Sequence, residues 1–215
     1  MLIAHRGYSN LFKDNSKEAL FTATQVGFDM IELDVNICKT GELVICHDLT
    51  IDGKAVSEYE LYDLGEEGII TLHEYFHSIN RNKLPTYIDV KGNGKVMRNL
   101  INYLECSKHI DLSKLYIATF NIVQLNMIIE KKLPVHVGLI TANRFIPCDL
   151  DKWLKHCEFF SFHWECYDNS LYAYLQGHGK QVFLYTCHDE DEYKYICDNY
   201  LCDGVISNVY IDKNI

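Results

Sequence analysis

Short apolar runs alternate along this chain with longer segments in which apolar residues recur every three or four positions. The first pattern predicts buried strands and the second predicts amphipathic helices. Leu2-Ile3-Ala4 opens the series and ends at His5. Asn15-Ser16-Lys17-Glu18 then supplies a helix start, Ala19, Leu20, Ala23 and Val26 follow at helical spacing, and Gly27 closes the segment. Phe28 to Val35 reads as the second strand. The turn Lys39-Thr40-Gly41-Glu42 leads into Leu43 to His47, which predicts a hairpin at the rim. Residues 49–70 are polar and weakly periodic, a loop with one short helix at 57–64. Further strands are expected at Thr86 to Lys91, Leu115 to Thr119, Val135 to Ile140, Glu158 to Phe162, Val182 to Thr186 and Val205 to Ser207. Helices are expected at 71–80, 94–108, 121–131, 149–156 (capped by Asp149), 168–177 and 189–200.

Eight principal strands, each but the last followed by a helix or helical turn, argue for a parallel sheet. We expect an α/β fold, a compact (β/α)8 TIM-type barrel, with a doubly wound open sheet as the rival. His5, Glu32, Asp34, His47, Asp89 and Lys91 all fall at or near the C-terminal ends of the first strands. Such barrels carry their chemistry there, which favours the closed form. The length of 215 residues points to a single domain covering 1–215.

Composition narrows the function. A formal net charge of −10 disfavours a nucleic-acid groove or a polybasic membrane contact. It leaves room for an anionic substrate in a cleft where cations cluster. No window approaches the roughly 18 apolar residues of a membrane span. The four residues before His5 are too few for the apolar core of a secretory leader. Nine cysteines, an odd number with no C-x-x-C pair, suit neither a disulfide framework nor a zinc ribbon. They predict a reducing, cytoplasmic setting.

The candidate chemistry is concentrated in Ile31-Glu32-Leu33-Asp34-Val35. Alternation on a strand puts Glu32 and Asp34 on one face and their apolar neighbours on the other. Two acids about 6–7 Å apart on a buried face repel each other, and a hard divalent cation would remove that cost by taking them as oxygen ligands. Asp89-x-Lys91 repeats the period-two logic with one acid and one ammonium. His5 and His47 add groups for proton transfer, and Arg6 adds a second cation for a phosphate.

A second motif competes for attention. His73-Glu74-Tyr75-Phe76-His77 spells the zinc-protease helix signature H-E-x-x-H. Thr71-x-x-Glu74, however, reads as a capping box that employs Glu74 at the helix start. Leu72, Tyr75, Phe76 and Ile79 form the apolar face, so the two histidines fall on its flank, and no third ligand follows at protease spacing. Gly92-Asn93-Gly94 fits no phosphate-loop pattern and reads as a strand-to-helix turn. Thr119-Phe120-Asn121 and His163-Trp164 end their strands where they would line a pocket or a core corner.

The ordered set His5-Arg6-Gly7-Tyr8, Asp14-Asn15-Ser16, Ile31-Glu32-Leu33-Asp34-Val35, Lys39-Thr40-Gly41-Glu42-Leu43-Val44, His47-Asp48 and Asp89-Val90-Lys91 resembles the glycerophosphodiester phosphodiesterase family, within the phosphatidylinositol-phospholipase-C-like superfamily. Val182 to Thr186 and Cys202 to Ser207 resemble its last two barrel strands. The resemblance implies a metal-dependent phosphoric diester hydrolase that releases sn-glycerol 3-phosphate and an alcohol. It implies His5 and His47 as the acid–base pair, either one being the base. Glu32, Asp34 and Asp89 would hold Mg²⁺ or Ca²⁺, Arg6 and Lys91 would contact phosphate, and Asp48 would support the His47 region. It also allows attack by the neighbouring glycerol hydroxyl through a cyclic phosphate. The implied partner is a small glycerophosphodiester or a lysolipid. The alternatives are a lysophospholipase D-like or cyclising lipid phosphodiesterase, and a weakened barrel that only binds. Three features depart from the family pattern. Asp89 stands where Glu is usual, the segment between His47 and Asp89 is short, and Tyr185 occupies a tryptophan position lining the glycerol pocket.

Overall fold

Residues 1–81 and 83–212 are described by a computed structural model. Eight parallel strands run in chain order around a ring: β1 (Leu2–Ala4), β2 (Met30–Ile37), β3 (Thr86–Val90), β4 (Leu115–Thr119), β5 (His136–Thr141), β6 (Phe159–His163), β7 (Gln181–Cys187) and β8 (Gly204–Ser207). β8 pairs back onto β1 through Leu2↔Val205, Ile3↔Ile206 and Ala4↔Ser207. That closure makes the sheet a (β/α)8 barrel and excludes the open-sheet alternative. The antiparallel strand Leu43–Ile45 hangs on β2 through Val35↔Ile45, forming the hairpin expected from the turn at Gly41.

Period-two alternation sorts each strand between two cores. Ile3, Met30, Tyr87, Ala118, Ile140, Phe159, Phe183 and Ile206 fill the barrel interior. Their neighbours Leu2, Ile31, Leu33, Ile88, Ile117 and Val205 pack outward against the helices. The interior is an aromatic plug. Phe159 sits 5.4 Å from both Tyr87 and Phe183, centroid to centroid. Gly138 on β5 makes room for it, since a Cβ there would lie 2.2 Å from the Phe159 ring.

The helix Lys17–Val26 starts where Ser16 accepts from the Ala19 amide and ends at Gly27, whose φ of 110° a side chain would strain. Asn93 caps the helix Gly94–Cys106, so Gly92-Asn93-Gly94 is a strand-to-helix turn. Three stretches differ from the sequence reading. The helix expected over 149–156 is a 3-10 turn, Pro147–Leu150, followed by hydrogen-bonded turns; the Asp149 carboxylate accepts from the Ile146 amide behind it. Residues 49–70 contain a small hairpin, Thr50–Ile51 with Lys54–Ala55, before a helix at Leu61–Glu66. The segment 71–80 becomes a π-helix over Tyr75–Asn80. The wider turn buries Tyr75, Phe76, Ile79 and Asn80 together, and both Tyr75 and Asn80 reach Thr86 Oγ1 at 3.0 Å. The capping box there is half formed. Glu74 N–H donates to Thr71 Oγ1, but the Glu74 carboxylate pairs with Lys17 at 2.8 Å. Among the described residues no helix is long and apolar enough to cross a membrane, and all nine cysteines are free.

Candidate active site

The three acids meet because of strand register. Asp34 on β2 is the direct partner of Asp89 on β3, and Glu32 lies two residues earlier on the same inward face. Neighbouring strands are about 4.8 Å apart, which puts the two aspartates side by side. One oxygen from each of Glu32, Asp34 and Asp89 lies within 4.8 Å of the others, and all three residues are buried. Glu32 thus sits one layer deeper, nearer the aromatic plug.

Around these acids stand the cations. Lys91 Nζ is 2.9 Å from Asp34 Oδ1 and 2.5 Å from Asp89 Oδ2. Arg6 Nε is 3.1 Å from Asp34 Oδ2, and its Nη1 is 2.8 Å from Asp14 Oδ2. The chain makes a left-handed turn at Arg6 and Gly7, with φ of 54° and 78°. That turn directs the Arg6 amide to Glu32 Oε2 at 2.8 Å. Gly7 is obligatory, because a Cβ would come within 2.5 Å of the Ala19 carbonyl carbon.

Electrostatics separate the acids. Burial raises the Glu32 carboxyl well above its usual range, with Asp34 and Asp89 adding to the rise. Burial opposes ionisation of Asp34 too, yet Lys91 and Arg6 hold it below its ordinary value. Burial lifts Asp89 to about 6 against the pull of Lys91. Burial works against the Lys91 ammonium as well, but Asp89 and Asp34 outweigh it and raise its pKa.

His5 follows β1 and is fixed by the far end of the chain. Its Nδ1 lies 2.7 Å from Asn208 Oδ1, just past β8. Ser9 Oγ donates to the same oxygen at 3.0 Å, and Asn208 Nδ2 faces His188 Nδ1 at 3.1 Å. This network orients the Asn208 amide, assigns the His5 proton to Nδ1 and leaves Nε2 with its lone pair. Loss of hydration, aided by the Arg6 charge, lowers His5 to about 4, so the ring is neutral at physiological pH. His47 comes from the far side, on the loop after Leu43–Ile45, with Nδ1 2.9 Å from Asp48 Oδ1.

His5, His47, Arg6, Lys91, the three acids and Tyr185 all line one solvent-open cavity of about 450 Å³. Asp48 stands beside it rather than in it. Phe120 and Thr186 are also in its wall, whereas His163 is not: it packs edge-on against Tyr185 and alongside Trp164. The sequence reading places Asn15 only at the helix start and in the family motif, and gives no role to Asn208 or Ser9. Asn15 is buried and hydrogen-bonds Asp34, and its place between Asp14 and Ser16 was its only signal. Asn208 has no local signal, since its partner is 203 positions away.

The residues suit a hard divalent cation. Among the described residues, Asp89 Oδ1 is buried without a hydrogen-bond partner. The donor set is all carboxylate oxygen, the chemistry of Mg²⁺ or Ca²⁺ sites. Tyr185 OH is likewise buried and unpartnered, with burial and Asp89 both raising its pKa.

The sequence profile of the glycerophosphoryl diester phosphodiesterase family matches residues 5–211. The chain belongs to that family. A glycerophosphodiester phosphodiesterase of Caldanaerobacter subterraneus is 34% identical over 110 residues, which cover 43% of this chain and 45% of that relative. The match thus spans less than half of that relative's length. Solved structures share the fold over nearly the whole barrel. The glycerophosphodiester phosphodiesterase of Thermotoga maritima superposes with a TM-score of 0.79 at 23% identity, covering 96% of this chain and 93% of its own. A phosphodiesterase of Oleispira antarctica, in complex with its product sn-glycerol-3-phosphate, gives 0.84 at 22% identity, covering 97% and 92%.

Proposed function

We propose that the chain, acting as one domain, hydrolyses glycerophosphodiesters to sn-glycerol 3-phosphate and an alcohol. The observation that carries this is the convergence of three acids, two cations and two imidazoles on one cavity in a member of this family. Arg6 and Lys91 bind the phosphodiester oxygens and orient phosphorus toward His5. His5 Nε2 takes the proton of the attacking hydroxyl, which belongs to water or to the neighbouring glycerol carbon. His47, oriented by Asp48, delivers a proton to the departing alkoxide. If the glycerol hydroxyl attacks, a cyclic phosphate forms, and water opens it with the two imidazoles exchanging roles. Tyr185 forms the wall for the glycerol carbons and presents its hydroxyl at the edge. Glu32, Asp34 and Asp89 hold Mg²⁺ or Ca²⁺, which offsets charge on phosphate oxygens when bound.

A cytoplasmic setting is part of this reading and is supported by the nine free cysteines. A lysolipid substrate is the second reading. An apolar groove lined by Leu49, Val90, Thr119 and Phe120 adjoins the cavity and shares His47 and Lys91 with it. Turnover of glycerophosphocholine, glycerophosphoethanolamine and lysophosphatidylcholine, assayed with Mg²⁺, Ca²⁺ or EDTA and with products identified, tests both readings. Glycerol 3-phosphate formed with metal and not with EDTA is the expected result. Lysophosphatidate as the main product selects the second reading, and binding without turnover under any metal refutes hydrolysis.

A further inference from the structure

The H-E-x-x-H segment plays no part in the barrel mouth, yet the fold does something specific with it. Its two histidines straddle the start of the π-helix, and their rings come to rest 4.1 Å apart with planes inclined by 32°. A third imidazole joins them. His109, in the loop after the helix Gly94–Cys106, lies 4.2 Å from the His77 ring and 6.3 Å from the His73 ring. All three side chains are exposed. This third member carries no local signal, being 32 positions beyond His77 and on a different element.

We propose that His73, His77 and His109 form a binding site for a transition-metal dication of the zinc class, separate from the carboxylate cluster. Imidazole nitrogens bind Zn²⁺ at about 2.0–2.1 Å, so three rings arranged tetrahedrally on one ion have centres about 5 Å apart. The observed separations of 4.1, 4.2 and 6.3 Å bracket that figure. The rings are tilted or edge-on to one another rather than converging on one point, so binding requires these exposed side chains to rotate between staggered wells. His73 also borders a groove with Asn102 and Tyr103, which leaves space for water as a fourth ligand.

Donor chemistry separates this site from the one at the mouth. Imidazole favours Zn²⁺, Ni²⁺ and Cu²⁺, whereas three carboxylates favour Mg²⁺ and Ca²⁺. The Glu74 carboxylate pairs with Lys17 at 2.8 Å. The bound ion therefore acts as a clamp. It ties the segment before β3 to the loop after the next helix, and β3 carries Asp89. A surface histidine cluster without metal is the competing account.

Calorimetric titration of the full chain with Zn²⁺, in excess Mg²⁺, tests the site. The comparison uses wild type, His77→Gln, His109→Gln and Asp89→Asn, with circular dichroism as the control for folding. Wild type and Asp89→Asn should both take up one Zn²⁺ that His77→Gln fails to bind, and His109→Gln should bind it about tenfold more weakly or worse. Co²⁺ should give the intense visible absorption of tetrahedral coordination in wild type and lose it in His109→Gln. Equal Zn²⁺ affinity in wild type and His77→Gln overturns the site. Unchanged affinity and spectrum in His109→Gln overturn the three-histidine assignment. Uptake lost in Asp89→Asn but kept in the histidine variants places the ion at the mouth and refutes the proposal. None of these outcomes depends on the hydrolytic reading.

Discussion

Asn15 and Asp34 hold each other twice: Asn15 Nδ2 donates to Asp34 Oδ2 at 2.8 Å, and the Asp34 amide donates to Asn15 Oδ1 at 3.3 Å. The pair fixes a buried acid that also carries two ion pairs. Asn15→Ala should therefore destabilise the fold by about 1–3 kcal/mol, the cost of leaving buried polar partners unpaired. Its left-handed φ of 59°, which Asn tolerates better than Ala, adds to the loss. Metal affinity should fall with it. Urea unfolding and Mg²⁺ calorimetry on one preparation check both effects.

His5→Ala and His47→Ala should each lower turnover by roughly 10²–10⁴, the usual worth of a positioned proton-transfer group. Both should keep the barrel folded, because neither side chain belongs to either core. Near-normal hydrolysis by either variant, with native circular dichroism, removes that histidine from the mechanism.

Asp89→Glu should keep or raise divalent-metal affinity, because the added methylene extends the carboxylate toward the other two acids. Calorimetry with Mg²⁺ and Ca²⁺ reads it directly. If neither wild type nor variant binds either ion, the carboxylate cluster is not a metal site.

The lowered pKa of His5 makes stability depend on pH with a definite sign. Its folded value is about 4 against 6.5 when free. Between those values the unfolded chain holds a proton that the folded chain does not, so stability is full above the free value and declines as pH falls toward 4. In EDTA, wild type should lose about 2–3 kcal/mol more than His5→Gln between pH 7.5 and pH 4.5. Parallel urea curves for the two proteins at both pH values would contradict the shift.

Gly138→Ala puts a methyl group 2.2 Å from the Phe159 ring. Such overpacking costs about 1–3 kcal/mol or more. Shrinking the opposing side chain with Phe159→Leu should recover part of it. A double-mutant cycle by thermal unfolding shows coupling if the two glycine-site costs differ.

Much of this architecture is written locally. Leu115 to Thr119 is a strand of the expected bounds, because four apolar residues and a β-branched threonine between turn signals have little else to become. Glu32, Asp34 and Asp89 were legible because period two tells which face an acid takes, and barrel register does the rest. What escaped is what depends on distant contacts. Leu150, Trp153 and Cys157 are apolar at near-helical spacing, yet that connection stays in turns around them. The π-helix answers to Thr86, a residue outside the segment. Asn208 acquires its significance only when β8 closes onto β1.

That closure has a bearing on how the molecule comes to life. The amide that orients the His5 ring is synthesised 203 residues after it. Until then the imidazole has neither a fixed tautomer nor a fixed aim. Any fragment that stops short of Asn208, whether a nascent chain or a proteolytic remnant, carries all three acids and both cations of the cavity yet lacks the contact that fixes the His5 ring.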